Sequence, residues 1–232
     1  MVGPNMSIVV PTLHMFGASM QISAEMRWYW SETVPGELIR WFNESTSHGC
    51  ISGGGGEPRK DSYLLDPMQA QLGMKIRGKK KGVEIKGLVE TIADGCKVKP
   101  FAGQIEIWTK WTTEALSFDD KKLIIVDKFR RLRKFDTSCT NIFEICLDKD
   151  EQPKGSANSP NVGCNVELTT IRIENRRWAT LGFESFGTLG TVVDSLCRTV
   201  SLLASRDPPP FDEGWLASYP LWLQRGYTKN DL

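Results

Sequence analysis

The sequence predicts an α+β fold that is mainly β: an antiparallel sheet of about eight strands curled into a tunnel, with helices on its flanks. Three observations carry this expectation. Charged and apolar residues alternate with a period of two in segment after segment, which is the side-chain period of a strand. The charged faces carry both signs, as expected of a curved sheet whose faces converge on a polyanion. Helical spacing is confined to two segments, at residues 31–43 and 190–205.

The first strand is the clearest. From Met20 to Trp30, one face holds Met20, Ile22, Ala24, Met26, Trp28 and Trp30; the other holds Gln21, Ser23, Glu25, Arg27 and Tyr29. Residues 7–30 hold one or two strands. Ser31 to Asn43 reads as a helix, with Pro35 near its first turn and an apolar side of Leu38, Ile39, Trp41 and Phe42. Gly49 to Lys60, with four consecutive glycines at 53–56, reads as a mobile loop. Strand alternation resumes at Met74–Arg77 and Val83–Gly87, with a solvated basic turn at Lys79–Gly82 between them. It continues at Gln104–Trp111, at Lys122–Phe135 and, less cleanly, at Ile142–Asp148. Asp148 to Asn161 is polar and rich in turn formers, so an exposed hairpin loop is expected. Two strands follow, Val162–Ile173 and Arg177–Glu184, joined around Glu174–Asn175. Gly190 to Ser205 has Val192, Val193, Leu196, Val200 and Leu203 at helical spacing, and Asp207 with three prolines ends it. The tail carries Trp215, Tyr219, Leu221 and Trp222, an apolar set expected to dock on the domain. With no internal repeat and no long linker, residues 1–232 read as a single domain. Its core spans about 20–185, with a C-terminal helix and docked tail at 187–232.

Composition narrows the function. A chain of 232 residues suffices for one sizeable core. Its net charge of +1 argues against a bulk basic surface for duplex nucleic acid, so an anion site must come from local arrangement. No apolar run approaches a bilayer span, and the N-terminal segment does not read as a signal peptide. The six cysteines show no C-x-x-C spacing and are expected to be reduced and inert, which makes the cytoplasm the expected compartment. With only His14 and His48, a multi-histidine zinc site is excluded. A metal here would have carboxylate ligands, which favours Mg²⁺ or Mn²⁺.

The order of short motifs resembles one family. Tyr63-Leu-Leu-Asp-Pro67, then Leu72-Gly-Met-Lys-Ile-Arg77, then Val83-Glu-Ile-Lys86 resembles the Y-x-D-T-x-x…L-R-x-R…x-x-L-K stretch of the CYTH superfamily, the triphosphate tunnel metalloenzymes. Lys128-Phe-Arg130-Arg131 is similar to that family's basic strand, and Glu144 and Glu167 fall where it places acids. The resemblance implies an antiparallel β-tunnel that encloses a triphosphate. Basic side chains would hold the phosphates, and glutamates would hold Mg²⁺ or Mn²⁺. The chain departs from the family's E-x-E-x-K signature: Glu25-Met26-Arg27-Trp28-Tyr29 keeps only the first acid. The paired acids of a late strand reduce to Asn165-Val166-Glu167.

Residue roles follow as expectations. Arg27, Lys75, Arg77, Lys86, Lys128 and Arg130 would bind phosphate, arginine by bidentate bonds and lysine as a point charge. Glu25, Glu144 and Glu167 would ligate the metal, with Glu25 and Glu167 catalytic and Glu84 and Glu106 in reserve. Phosphoryl transfer needs positioning and charge neutralisation more than covalent chemistry from the protein. The first functional expectation is therefore a metal-dependent phosphohydrolase or phosphotransferase on triphosphate-containing substrates. The alternative is a weak or inactive relative that binds a nucleotide or polyphosphate. A homodimer is left open. The same charges would also suit a solvated outer face with cross-strand pairs worth about 0.2–1 kcal/mol each. A barrel for an apolar ligand is disfavoured, because its inward faces would then be apolar.

Overall fold

A computed structural model describes residues 20–44, 46, 50, 59–64, 69–118, 123–154, 159–210 and 214–227. The strands are β1 (Gln21–Ser31), β2 (Arg59–Leu64), β3 (Leu72–Arg77), β4 (Val83–Cys96), β5 (Gly103–Thr113), β6 (Leu123–Asp136), β7 (Phe143–Ile145), β8 (Gly163–Ile173), β9 (Arg176–Phe186) and β10 (Trp215–Leu216). The helices are α1 (Gly36–Glu44), α2 (Val192–Ala204) and α3 (Tyr219–Trp222), the last continued by a π-helical turn, Leu223–Tyr227. Eight strands pair antiparallel in the order β1-β5-β4-β3-β2-β6-β8-β9, and β9 pairs back onto β1, closing a barrel. β7 extends the end of β6, and β10 lies beside β1. The protein is thus mainly β, with flanking helices. Among the described residues no helix is long and apolar enough to cross a membrane.

The barrel is polar within and apolar on the side of its outer wall that the helices cover. On β1, Ala24, Met26, Trp28 and Trp30 face outward into a buried cluster. There they meet Leu38, Trp41 and Phe42 of α1, and Val192, Leu196, Val200 and Leu203 of α2. Each fully buried valine, leucine, methionine or phenylalanine there contributes roughly 1.5–3 kcal/mol. A second cluster closes one end of the barrel. Trp222 and Leu223 of the C-terminal segment bury against Tyr29, Tyr63, Ile171, Ile173 and Trp178 from inward-facing strand positions. Trp222 stacks on Tyr29 with ring centroids 4.8 Å apart, and Tyr219 stacks on Tyr63 at 4.8 Å. Gly73 leaves room for this segment, because a Cβ there would stand 3.1 Å from Pro220. The apolar tail docks, as its composition predicts.

Several expectations are corrected. The first helix spans Gly36–Glu44 rather than starting at Ser31, because β1 runs to Ser31 and a turn at Glu32 (φ 71°) follows. β2 was expected in part to be loop; its segment carries polar residues on both faces, Arg59 and Asp61 on one and Lys60 and Ser62 on the other, so its sequence shows no alternation of charged and apolar residues. β4 continues well past Gly87, and bulges between Leu88 and Glu90 and between Ile92 and Cys96 shift its faces and break the period. Cys50 and Cys146 form a disulfide, against the expectation of reduced thiols. The premise of the cytoplasmic expectation therefore does not hold for this pair. Cys96 and Cys164 are buried, Cys197 is half-buried and Cys139 is exposed. The strand expected before Met20, most of the Gly49–Lys60 loop, and Asp66 and Pro67 of the family-like motif lie outside the described residues.

Candidate functional site: a charged barrel interior

Inward positions on the barrel strands surround a cavity of about 310 Å³. Among the described residues, nine basic and five acidic side chains line it, so basic groups outnumber acidic ones by four. Arg27, Lys75, Arg77, Lys86, Lys128 and Arg130 all line it, as do Glu25 and Glu167. The two-residue period delivers them there: each sits at the parity opposite the residues its strand buries outside.

The charges form a woven set of ion pairs. Glu25 is hydrogen-bonded to Lys86 and accepts from Ser23 Oγ at 2.6 Å. Glu167 bridges two guanidiniums, with Arg27 Nη2 at 3.0 Å and Arg130 Nη1 at 2.6 Å. Lys75 meets Glu84 at 2.8 Å, and Arg77 stands 3.8 Å from the same carboxylate. Lys110 pairs with Glu184 at 3.1 Å. Buried Asp61 accepts from Arg59 Nε at 2.9 Å and lies 3.5 Å from Lys128. Lys128 Nζ donates to Tyr63 Oη at 2.6 Å and sits 4.0 Å from the Tyr219 ring centroid.

One glycine permits the central bridge. Gly182 on β9 stands in register between Arg27 on β1 and Glu167 on β8. A Cβ there would collide with the Arg27 guanidinium. Arg27 therefore crosses over β9 to reach Glu167, and its Nη1 donates to Thr180 Oγ1 at 3.0 Å on the way.

Burial and neighbours shift several groups. Burial depresses the Lys128 ammonium well below its ordinary pKa, and nearby Lys75 adds to the depression. Lys75 is lowered too, by burial that Glu84 and Asp61 only partly offset. An anion beside these two ammoniums would favour their charged forms and oppose the depression. Burial alone would raise the Glu167 carboxyl, but Arg130 and Arg27 hold it well below the usual carboxylate range. Lys110 draws Glu184 down from 4.5 to about 2.

A pH prediction follows from Glu184. A carboxylate whose folded pKa lies below its unfolded one stabilises the fold above the unfolded value. That stability is lost as pH falls through the folded value. The loss should run from pH 4.5 to about 2 and amount to on the order of 3 kcal/mol for this group. Urea midpoints measured across this range should fall, and Glu184→Gln should flatten that part of the profile.

The expected metal set is not brought together. Glu144 lies outside the cavity, because β7 pairs Glu144 with Phe135, whose side chain faces the helix-covered core. There Glu144 holds buried Arg133 at 2.6 and 2.8 Å and Arg206 at 3.3 Å. Of the reserves, Glu84 lines the cavity. Glu106 is in register with Glu25, is raised by burial, and accepts from Trp108 Nε1 at 3.0 Å. Among the described residues, no three His, Cys, Asp or Glu groups gather as metal ligands. Each acid that lines the cavity meets a cation, so the donor set in this arrangement does not fit a carboxylate-held divalent ion.

Sequence reasoning missed part of the lining. Glu184 is the one acid in its strand, yet it is in register with Glu25 across β1 and β9. Lys134 and Arg59 also reach the cavity, and Glu151 enters from a loop where no periodicity announces it. Thr169 Oγ1 lines the cavity, is buried, and has no hydrogen-bond partner among the described residues. Comparison of the chain with protein-family models, with curated proteins and with solved structures found no match.

Proposed function

We propose that the barrel binds a triphosphate-bearing ligand by its phosphates, in the manner of a CYTH-like tunnel, with binding rather than turnover as its main task. The observation that carries this reading is the excess of basic side chains around a closed-walled cavity of about 310 Å³. A polyanion suits the cavity for three reasons. It offsets the excess of basic side chains, it favours the charged forms of Lys128 and Lys75 that burial disfavours, and it offers oxygens to arginines with planar donor forks. The aromatic segment at Tyr219–Trp222 closes one end, which favours a ligand that enters phosphate-first through the other. The ligand class is inorganic triphosphate, a polyphosphate chain or a nucleotide. Calorimetric titration with inorganic triphosphate and orthophosphate tests the reading: triphosphate should bind more tightly.

The second reading is a metal-dependent phosphohydrolase or phosphotransferase, the activity the family likeness implies. The observation favouring it is the pairing of Glu25 with Glu184 on neighbouring strands. Incoming phosphates would first have to take over Lys86 and Lys110, which hold those two acids. Phosphate release from triphosphate with and without Mn²⁺ separates the readings. Little or no Mn²⁺-dependent release is expected from a binding module. Rapid release, abolished by Glu25→Gln, would establish the enzyme.

A further inference from the structure

Arg130 lies at the cavity wall with most of its donor directions engaged. Glu167 takes Nη1 from the barrel side, as a member of the fixed wall. Glu151 takes the rest: its Oε1 accepts from Nε at 2.9 Å, and its Oε2 accepts from Nη2. This bidentate clasp is the geometry a guanidinium also offers to two oxygens of one phosphoryl group. Glu151 does not come from a barrel strand. It belongs to a turn that closes on itself outside the wall. Asp148 Oδ1 accepts from the backbone N–H groups of Asp150 and Gln152 at 2.8 and 2.9 Å, and Lys154 N–H donates to Cys146 O at 2.9 Å. Glu151 adopts a left-handed φ of 61° at the tip of this turn, a backbone conformation uncommon for a non-glycine residue. The disulfide between Cys146 and Cys50 roots the base of the turn. The carboxylate is therefore presented to Arg130 by a loop, whereas Glu167 is locked into β8.

We propose that Glu151 is a specificity-determining residue that occupies a phosphate position on Arg130 and must be displaced by the ligand. The inference rests on the phosphate-binding reading of the cavity. A ligand with several phosphates engages Lys75, Lys86 and Arg77 as well, and so can displace one carboxylate. A lone orthophosphate meets the same competition without those other contacts. Glu151 thus sharpens the preference for polyphosphate chains over single phosphates.

The test is titration of wild type, Glu151→Gln and Glu151→Ala with orthophosphate and with inorganic triphosphate. Asp150→Asn serves as a control, removing one negative charge from an exposed neighbour that does not touch Arg130. Both Glu151 variants should bind orthophosphate about tenfold tighter or more, the change that one charge-assisted hydrogen bond corresponds to. The ratio of triphosphate to orthophosphate affinity should narrow. Asp150→Asn should change little, and Arg130→Ala added to Glu151→Ala should remove the gain. Unchanged or weaker binding by the Glu151 variants, with wild type binding triphosphate, overturns this inference and leaves the proposed function standing. An equal gain from Asp150→Asn overturns it too, because bulk charge would then explain the effect. Binding by the variants alone overturns it as well, because no ligand then displaces Glu151 in the unaltered protein. If no form binds either ligand, both the inference and the proposed function fail.

Discussion

Replacing Glu144 with Ala is expected to destabilise the fold by about 3–5 kcal/mol while leaving triphosphate affinity unchanged. Arg133 is among the largest fully buried side chains, and Glu144 holds it with both carboxylate oxygens. Removing the acid takes both of these carboxylate oxygens from a guanidinium buried beneath α1, whose contact to Phe42 O is long at 3.5 Å. The cost comes from a buried guanidinium losing its bidentate carboxylate rather than from the pair's net worth, since a buried pair and an apolar replacement of similar volume are often nearly equivalent. A double variant, Arg133→Met with Glu144→Leu, should therefore recover most of the loss. Urea unfolding of the two variants checks both halves. An unchanged stability in Glu144→Ala together with lost ligand binding would return Glu144 to the ligand set that the sequence suggests.

The second large effect concerns Arg77. It lines the cavity, yet its ion pair with Glu84 is loose at 3.8 Å. Among the described residues its fork has donors to spare for a phosphate, whereas Arg27 and Arg130 must first exchange partners. Arg77→Ala should remove a charge-assisted contact of about 1.5–3 kcal/mol, a loss of roughly 10- to 150-fold in triphosphate affinity. Its partial exposure makes the stability cost small, on the scale of a surface ion pair at about 0–1 kcal/mol. A ligand affinity that does not move in Arg77→Ala would place the phosphates elsewhere.

Much of the barrel was legible because one rule, the two-residue period, acts on each strand separately. On β1 it separates Glu25 and Arg27 from Met26 and Trp28 with no knowledge of the rest of the chain. On β6 it separates Lys128 and Arg130 from Phe135 in the same way. The rule fails where the backbone departs from it. The bulges in β4 hide its second half, and β2 carries polar residues on both faces. The site was legible to the same extent. Six basic residues and two acids reach the cavity because their parity is right. Glu144 was misassigned because its strand pairs beyond the barrel, and pairing partners are not written in a single segment. Gly182 was invisible, since its role depends on Arg27 from one neighbouring strand and Glu167 from the other. Glu151 and the Cys50–Cys146 bond depend likewise on loops folding back to the barrel.

Calorimetric titration of the unaltered protein with inorganic triphosphate and with orthophosphate, at low and at physiological salt, tests the central claim most directly. A cationic cavity predicts tighter binding of triphosphate, and a smaller difference as salt screens charges beyond about 8 Å. Equal affinity for the two ligands, or no binding of either, would contradict it and leave the charges as a structural lattice inside the barrel.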